Sequence, residues 1–245
     1  MKLGLQLYNF RNELKEDFRG TLKKIATLGF DGVEFASYYG KIPPAELAGL
    51  LQELGLKCAG TMFSVDEILN PASQVFEYAH ALNSPAVTVS IMYDFVANCE
   101  AFCETCRKLG DAAHANGCVF TYHNHWAEFD RKDGVPVMDR MLEATDPKKV
   151  LLELDVCWIT RAGFKPSKYI LKYAPRVLQL HMKDITIPDD PNTTTELGRG
   201  LVDLKDAFQA AKQTPCQWLI YEQDYCKKSP FDSAKISLEF LKKLA

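Results

Sequence analysis

The chain lacks most of the features that mark the commoner function classes. Its apolar runs are short, as in Ala86–Met92, and none approaches the roughly 20 residues a membrane-spanning helix needs. No GxGxxG follows the first apolar run, which leads into Leu7-Tyr8-Asn9-Phe10-Arg11, and no Walker loop occurs anywhere. There is no linker and no low-complexity stretch. Eight cysteines in 245 residues are too few for a disulfide scaffold, and they form no pair of CxxC motifs for a structural zinc. Cys99, Cys103 and Cys106 instead fall on one helical face, as small buried hydrophobes do. With 29 basic and 32 acidic residues the net charge is −3, so the basic excess of a general nucleic-acid binder is missing. Met1–Leu5 shows no signal-peptide core, and the expected location is the cytoplasm. Neither a membrane nor a nucleic-acid partner is expected.

What is present is a repeated alternation of strand and helix patterns. The apolar runs Leu3–Leu7, Val33–Phe35, Leu56–Met62, Ala86–Ile91, Cys118–Tyr122, Val150–Leu154, Val177–Leu180 and Trp218–Tyr221 read as strands. Between them lie helix patterns. Phe18, Leu22, Ile25 and Leu28 recur at helical spacing, with Gly29 closing the helix. Pro43-Pro44 opens a second helix, Pro71 a third, and a long one is expected over Val96–Asn116. Val135–Ala144, Pro166–Tyr173, Asp203–Lys212 and Asp232–Leu244 complete the set. Eight units of about 31 residues each have the size of βα repeats. They predict a single (β/α)8 TIM barrel spanning 1–245 as one domain, with a doubly wound open sheet as the alternative.

In such a barrel the chemistry sits where strands end. Strand two ends at Glu34, strand five in Tyr122-His123-Asn124-His125, and strand six in Glu153-Leu154-Asp155. Strand seven ends in His181-Met182-Lys183 and strand eight in Glu222-Gln223-Asp224. Three of the five histidines stand at two of these ends, whereas His80 and His114 fall within helix patterns. Acids converging on one barrel mouth repel one another unless a cation sits among them. Asp155, His181, Glu222 and a ligand from strand five form a mixed oxygen and nitrogen set suited to one divalent ion: Mn, Mg, Co or Zn. Trp158, three residues after Asp155, offers an apolar wall for a sugar ring.

These residues resemble the sugar phosphate isomerase/epimerase family, the xylose isomerase-like TIM barrels. The resemblance runs through nearly the whole chain. It rests on Gly4-Leu5-Gln6-Leu7-Tyr8 with Arg11, Gly29-Phe30-Asp31-Gly32-Val33-Glu34, and above all Tyr122-His123-Asn124-His125-x-x-Glu128-Phe129. Leu154-Asp155-Val156-x-Trp158, His181-Met182-Lys183-Asp184, Gly198-x-Gly200 and Glu222 continue it. It implies one divalent metal held by Asp155, His181, Glu222 and a carboxylate from strand five. Many relatives carry a glutamate where this chain has His123. Glu128 is therefore expected to reach back from its loop as the fourth ligand, with His123 as the rival. The resemblance places His125 and Lys183 against substrate. Glu34, His123, Trp158 and Arg199 are further expected contacts.

The implied activity is isomerisation or epimerisation of a keto-sugar, free or phosphorylated. Glu222 would remove a proton next to the carbonyl, and Glu128 or His125 would return one. Loss of a β-hydroxyl from the same enediolate would make the enzyme a dehydratase. An apurinic-site nuclease and a non-catalytic sugar-binding barrel are the rival readings; the first would need more metal ligands, and the second predicts no metal. The expected partner is a small sugar, with homo-oligomerisation left open.

Overall fold

The computed structural model describes residues 1–244. Eight strands form its centre: β1 (Lys2–Gln6), β2 (Gly32–Ala36), β3 (Lys57–Met62) and β4 (Val87–Ser90), then β5 (Phe120–His123), β6 (Val150–Asp155), β7 (Val177–Met182) and β8 (Trp218–Tyr221). Each pairs in parallel with its sequence neighbours, and β8 pairs back onto β1 through Lys2 opposite Trp218 and Leu5 opposite Tyr221. The result is the closed (β/α)8 TIM barrel that the alternation of patterns implied.

The outer layer contains helices α1 (Phe18–Ala26), α2 (Pro44–Glu53), α3 (Val75–Ala81), α4 (Cys99–Ala115), α5 (Val137–Ala144), α6 (Pro166–Lys172), α7 (Leu204–Ala211) and α8 (Pro230–Leu244). Their apolar stripes, such as Phe102, Cys106, Leu109 and Ala113 on α4, are buried in one continuous core shared with the outward faces of the strands. The helix expected from Pro71 is a correction. The chain forms Val65–Leu69 first, where Ser64 and Glu67 make a reciprocal capping box, then turns through Pro71 before α3 begins. A short helix, Val156–Arg161, also follows β6 directly, with Asp155 as its N-cap. No helix among the described residues is long and apolar enough to cross a membrane.

Strand periodicity decides what the barrel encloses. Side chains two residues apart share a face, so Thr121 and His123, Glu153 and Asp155, and Gln179, His181 and Lys183 point inward together. Deeper in the barrel, Ala59, Trp218 and Ile220 form a small apolar floor separate from the main core. Gly4 leaves room for it, since a Cβ there would meet Ile220 at 3.1 Å, Ala59 at 3.2 Å and Trp218 at 3.4 Å. Above this floor the interior is polar. Gln6 Nε2 donates to Glu34 (2.8 Å), and the hydroxyls of Thr88 and Thr121 lie 2.7 Å apart.

Two register shifts punctuate this interior. Between β2 and β3 the pairing slips at Val33/Glu34, leaving Ala59 as an extra residue; between β6 and β7 it slips at Leu152/Glu153, leaving Leu178 extra. The Gln179 side chain crosses the barrel and donates to the Ala59 carbonyl.

Candidate functional site

At the C-terminal mouth of the barrel, His123, Asp155, His181 and Glu222 each offer a ligand atom, and these atoms all lie within 4.8 Å of one another. All four residues are buried. They come from β5, β6, β7 and the residue after β8. Their partners fix their orientation. Asp155 Oδ1 accepts from the backbone N–H groups of Cys157 (2.8 Å) and Trp158 (3.1 Å), which leaves Oδ2 facing inward. His123 Nδ1 lies 3.1 Å from Glu153 Oε1. His181 Nδ1 lies 2.8 Å from Glu222 Oε2, and its Nε2 is 2.6 Å from Glu34 Oε2 and 3.1 Å from Glu153 Oε1. Carboxylates behind imidazoles in this way set the tautomer and aim the rings.

Electrostatics follow from this crowding. Burial alone would push Glu222 up, but Lys183 and His181 outweigh it and hold its carboxyl well below the ordinary range. Burial likewise opposes the charge on His181, yet Glu153 and Glu34 raise its pKa well above the usual value. Glu34 is shifted the other way: burial, then the charge of Glu153, lifts it well above the carboxylate range. Glu153 is held low, because His181 and His123 overcome the effect of its burial. The Glu34–Glu153 pair therefore keeps its proton on Glu34. Lys183, whose side chain is only 2% exposed, places Nζ 2.8 Å from Glu222, 3.1 Å from Asp224 and 3.2 Å from Asp155. Burial opposes its charge, but Asp155 and Asp224 raise its pKa far enough to keep it an ammonium.

The donor set passes a test for a cation. Asp155 Oδ2 is buried and makes no hydrogen bond, meeting only the Lys183 ammonium at 3.2 Å, an expensive state for a carboxylate oxygen in a low-dielectric interior. A divalent ion among His123, Asp155, His181 and Glu222 would compensate it. Two imidazoles with two carboxylates suit Mn, Co or Zn better than Mg, which prefers oxygen and retains water.

The mouth opens into a cavity of ≈ 230 Å³, with Ser90, His123, His125, Lys183, Glu222 and Asp224 in its wall. That volume is small beside the roughly 300–1,000 Å³ of typical ligand clefts, so it suits a single small molecule. A larger cavity, ≈ 490 Å³, opens at the opposite end beside Lys2, Lys57 and Trp218, away from the donor cluster. Chemistry, not size, identifies the site.

The expected site residues divide accordingly. His125 lines the cavity, its Nδ1 3.3 Å from Ser90 Oγ. Burial, then His123, lowers its pKa to about 3, so the ring is neutral at physiological pH. Trp158 is buried beside it, with Lys183 Nζ 4.6 Å from its ring centroid. Glu34 is not on the cavity wall but beneath it, bonded to Gln6 and His181. Glu128 does not join the four donors. Its Oε1 accepts from the Tyr122 hydroxyl (2.8 Å) and the His125 backbone N–H (2.9 Å), which ties it to the loop. His123 occupies the strand-five place in the cluster instead, because it is the last inward residue of β5. Arg199 is half exposed, pairs with Glu196 at 3.3 Å and is not in the cavity wall.

The Gly198-x-Gly200 motif serves Asp184 rather than a ligand. Gly198 N–H (3.0 Å) and Gly200 N–H (2.9 Å) donate to Asp184 Oδ2, while Ile185 N–H (3.0 Å) and Val202 N–H (3.1 Å) donate to Oδ1. A Cβ on Gly200 would overlap Asp184 and the Ile185 carbonyl, which is why the loop needs glycine there. Glu153 and Asp224 are site residues that motif reading passed over. Each stands two residues from a member of the donor cluster, Glu153 along β6, where strand period carried the signal, and Asp224 in the loop after β8, where none did.

Comparison with known proteins adds four observations. A family model described as xylose isomerase-like TIM barrel matches residues 22–244. An inosose dehydratase of Lactiplantibacillus plantarum is 25% identical, over 99% of this chain and 95% of its own length. Among solved structures, a sugar phosphate isomerase/epimerase from Parabacteroides distasonis superposes with a TM-score of 0.82 at 23% identity, covering 99% of this chain and 98% of that one. A D-allulose 3-epimerase from Methylomonas sp., in complex with D-allulose, gives a TM-score of 0.77 at 17% identity over 100% and 97%. At these identities the two structures speak for the fold alone.

Proposed function

The chain belongs to the xylose isomerase-like TIM barrel family, and on that premise we propose that it is a divalent-metal-dependent dehydratase of a keto-sugar or keto-cyclitol. The observation that carries the proposal is the cluster of His123, Asp155, His181 and Glu222, of which His123 and Glu222 line one small cavity beside an ammonium and a neutral imidazole. When bound, the ion supplies Lewis acidity that polarises the substrate carbonyl.

The protein groups do the rest. Glu222, ionised by its neighbours, takes the proton from the carbon next to the carbonyl. The electron pair left on carbon forms the new double bond as the β-hydroxyl departs. Glu222 hands that same proton to the departing oxygen, so water leaves and the carboxylate is restored. Lys183 holds oxyanion charge as it develops. His125, neutral and steadied by Ser90, donates its ring N–H to a substrate hydroxyl. The resemblance to inosose dehydratases supports this outcome.

Isomerisation or epimerisation is the second reading, and Glu128 favours it. Burial raises this carboxyl to about 7, a good value for a proton carrier, and its Oε2 has no partner. Against it, Oε1 is committed to Tyr122 and His125. NMR of ketoses and keto-cyclitols incubated in D2O with Mn²⁺, Co²⁺ or Zn²⁺, the metal removed before measurement, separates the readings. Dehydration gives an unsaturated product in which one hydroxyl-bearing carbon has become an alkene carbon; epimerisation leaves a saturated sugar deuterated at the inverted carbon. If no substrate exchanges or changes with any metal, both readings fall.

A further inference from the structure

Lys183 and a divalent ion would draw on the same oxygens. Asp155 Oδ1 is occupied by the helix N–H groups of Cys157 and Trp158, so Oδ2 is its available atom, and Lys183 Nζ stands 3.2 Å from it. Glu222 Oε2 lies 2.8 Å from both Lys183 Nζ and His181 Nδ1. Both carboxylates of the four-residue donor cluster are thus in contact with one buried ammonium. A third carboxylate, Asp224, is 3.1 Å from the same nitrogen but is not a member of that cluster. Lys183 and Asp224 both line the substrate cavity.

We propose that Lys183 and the divalent ion are alternative partners of Asp155 and Glu222, and that Asp224 receives the ammonium when the ion binds. Two cations a few ångströms apart in a buried site repel strongly, so the ion weakens the hold of the shared oxygens on the ammonium. Asp224 gives it a stable place that still faces the cavity. Metal binding thereby turns Lys183 from a charge neutralising the empty donor set into a group aimed at substrate oxygen. It sets an order, metal before substrate, and makes Asp224 a positioning residue that acts through Lys183. This inference rests on the metal reading above.

The test is a double-mutant cycle on metal affinity, read by calorimetry with Mn²⁺ and no substrate, for the wild type, Lys183→Met, Asp224→Asn and the double variant. Lys183→Met should bind Mn²⁺ at least about tenfold more tightly, because its competitor is gone. Asp224→Asn alone should bind more weakly, since the ammonium loses its alternative partner. In the Lys183→Met background, Asp224→Asn should have little further effect. Additive effects, or unchanged affinity in Lys183→Met, overturn the inference while leaving the metal reading intact. Absence of binding in all four proteins overturns both. If Lys183→Met does not fold, the wild type still decides: reductive methylation of Lys183, followed by peptide mass spectrometry, should increase several-fold on adding Zn²⁺. Unchanged or reduced labelling counts against the proposal.

Discussion

Asp184→Asn tests the reasoning on a group outside the chemistry. The Asp184 carboxylate is fully buried and accepts four backbone N–H bonds, two on each oxygen, from Ile185, Gly198, Gly200 and Val202. Asparagine has the same shape but only one acceptor oxygen. Whichever way the amide turns, its NH2 faces two N–H donors that then have no acceptor. Two hydrogen bonds to a charged group, at about 1.5–3 kcal/mol each, give an expected loss of about 3–6 kcal/mol. That is a large share of the roughly 5–15 kcal/mol by which domains are stable. Urea unfolding in chelator-containing buffer measures it, and amide exchange should rise first along Gly198–Val202. A loss below about 1 kcal/mol, with an unchanged denaturant slope, would refute the claim that this carboxylate organises the loop.

Asp155→Asn should abolish retained metal by elemental analysis with little change in melting, because asparagine still caps Val156–Arg161; Asp155→Ala should lose the metal and a further ~1 kcal/mol of stability. Glu128 carries a pH signature. Burial lifts its folded pKa to about 7, above the ordinary 4.5 of a glutamate, so its contribution is present below about pH 4.5 and is lost as pH rises through 7. Wild-type stability should fall by roughly 3 kcal/mol more than that of Glu128→Gln between pH 4.5 and 8, and parallel pH curves for the two proteins would contradict the shift. Of the eight free cysteines only Cys118 and Cys226 are not buried, so a thiol reagent under native conditions should titrate no more than two quickly. Early reaction at Cys99, Cys103 or Cys106 would contradict their burial on α4.

The barrel was legible because its rhythm is strong. Trp218–Tyr221 is the strand its apolar run marks, and Gly29, Gly55 and Gly117 each take positive φ just after a helix, as their positions imply. Pro71 misled because a proline after Asn70 reads as a helix start when Ser64 and Glu67 have already capped one. The cluster members Asp155, His181 and Glu222 could be named from strand ends. The strand-five member could not. Whether Glu128 or His123 reaches the centre depends on a three-residue turn at Ala127–Phe129 and on Tyr122 claiming the carboxylate, and neither leaves a periodic trace. Arg199 was drawn in by its neighbouring glycines, whose purpose lies with Asp184.

The two register shifts have a consequence for anyone rebuilding this barrel. Ala59 and Leu178, the extra residues, lie on opposite walls, and Gln179 bridges from beside one to the carbonyl of the other. Removing either extra residue would even out the pairing without turning any later side chain, because Leu152 and Glu153 already pair with Val177 and Gln179, and Val33 and Glu34 with Cys58 and Gly60. An idealised barrel with uninterrupted pairing would therefore keep His181 and Lys183 at the mouth. What it would lose, with Ala59 gone, is the carbonyl that Gln179 grips from across the barrel and one side of the apolar floor. The irregularity of the sheet is a cross-brace beneath the donor cluster.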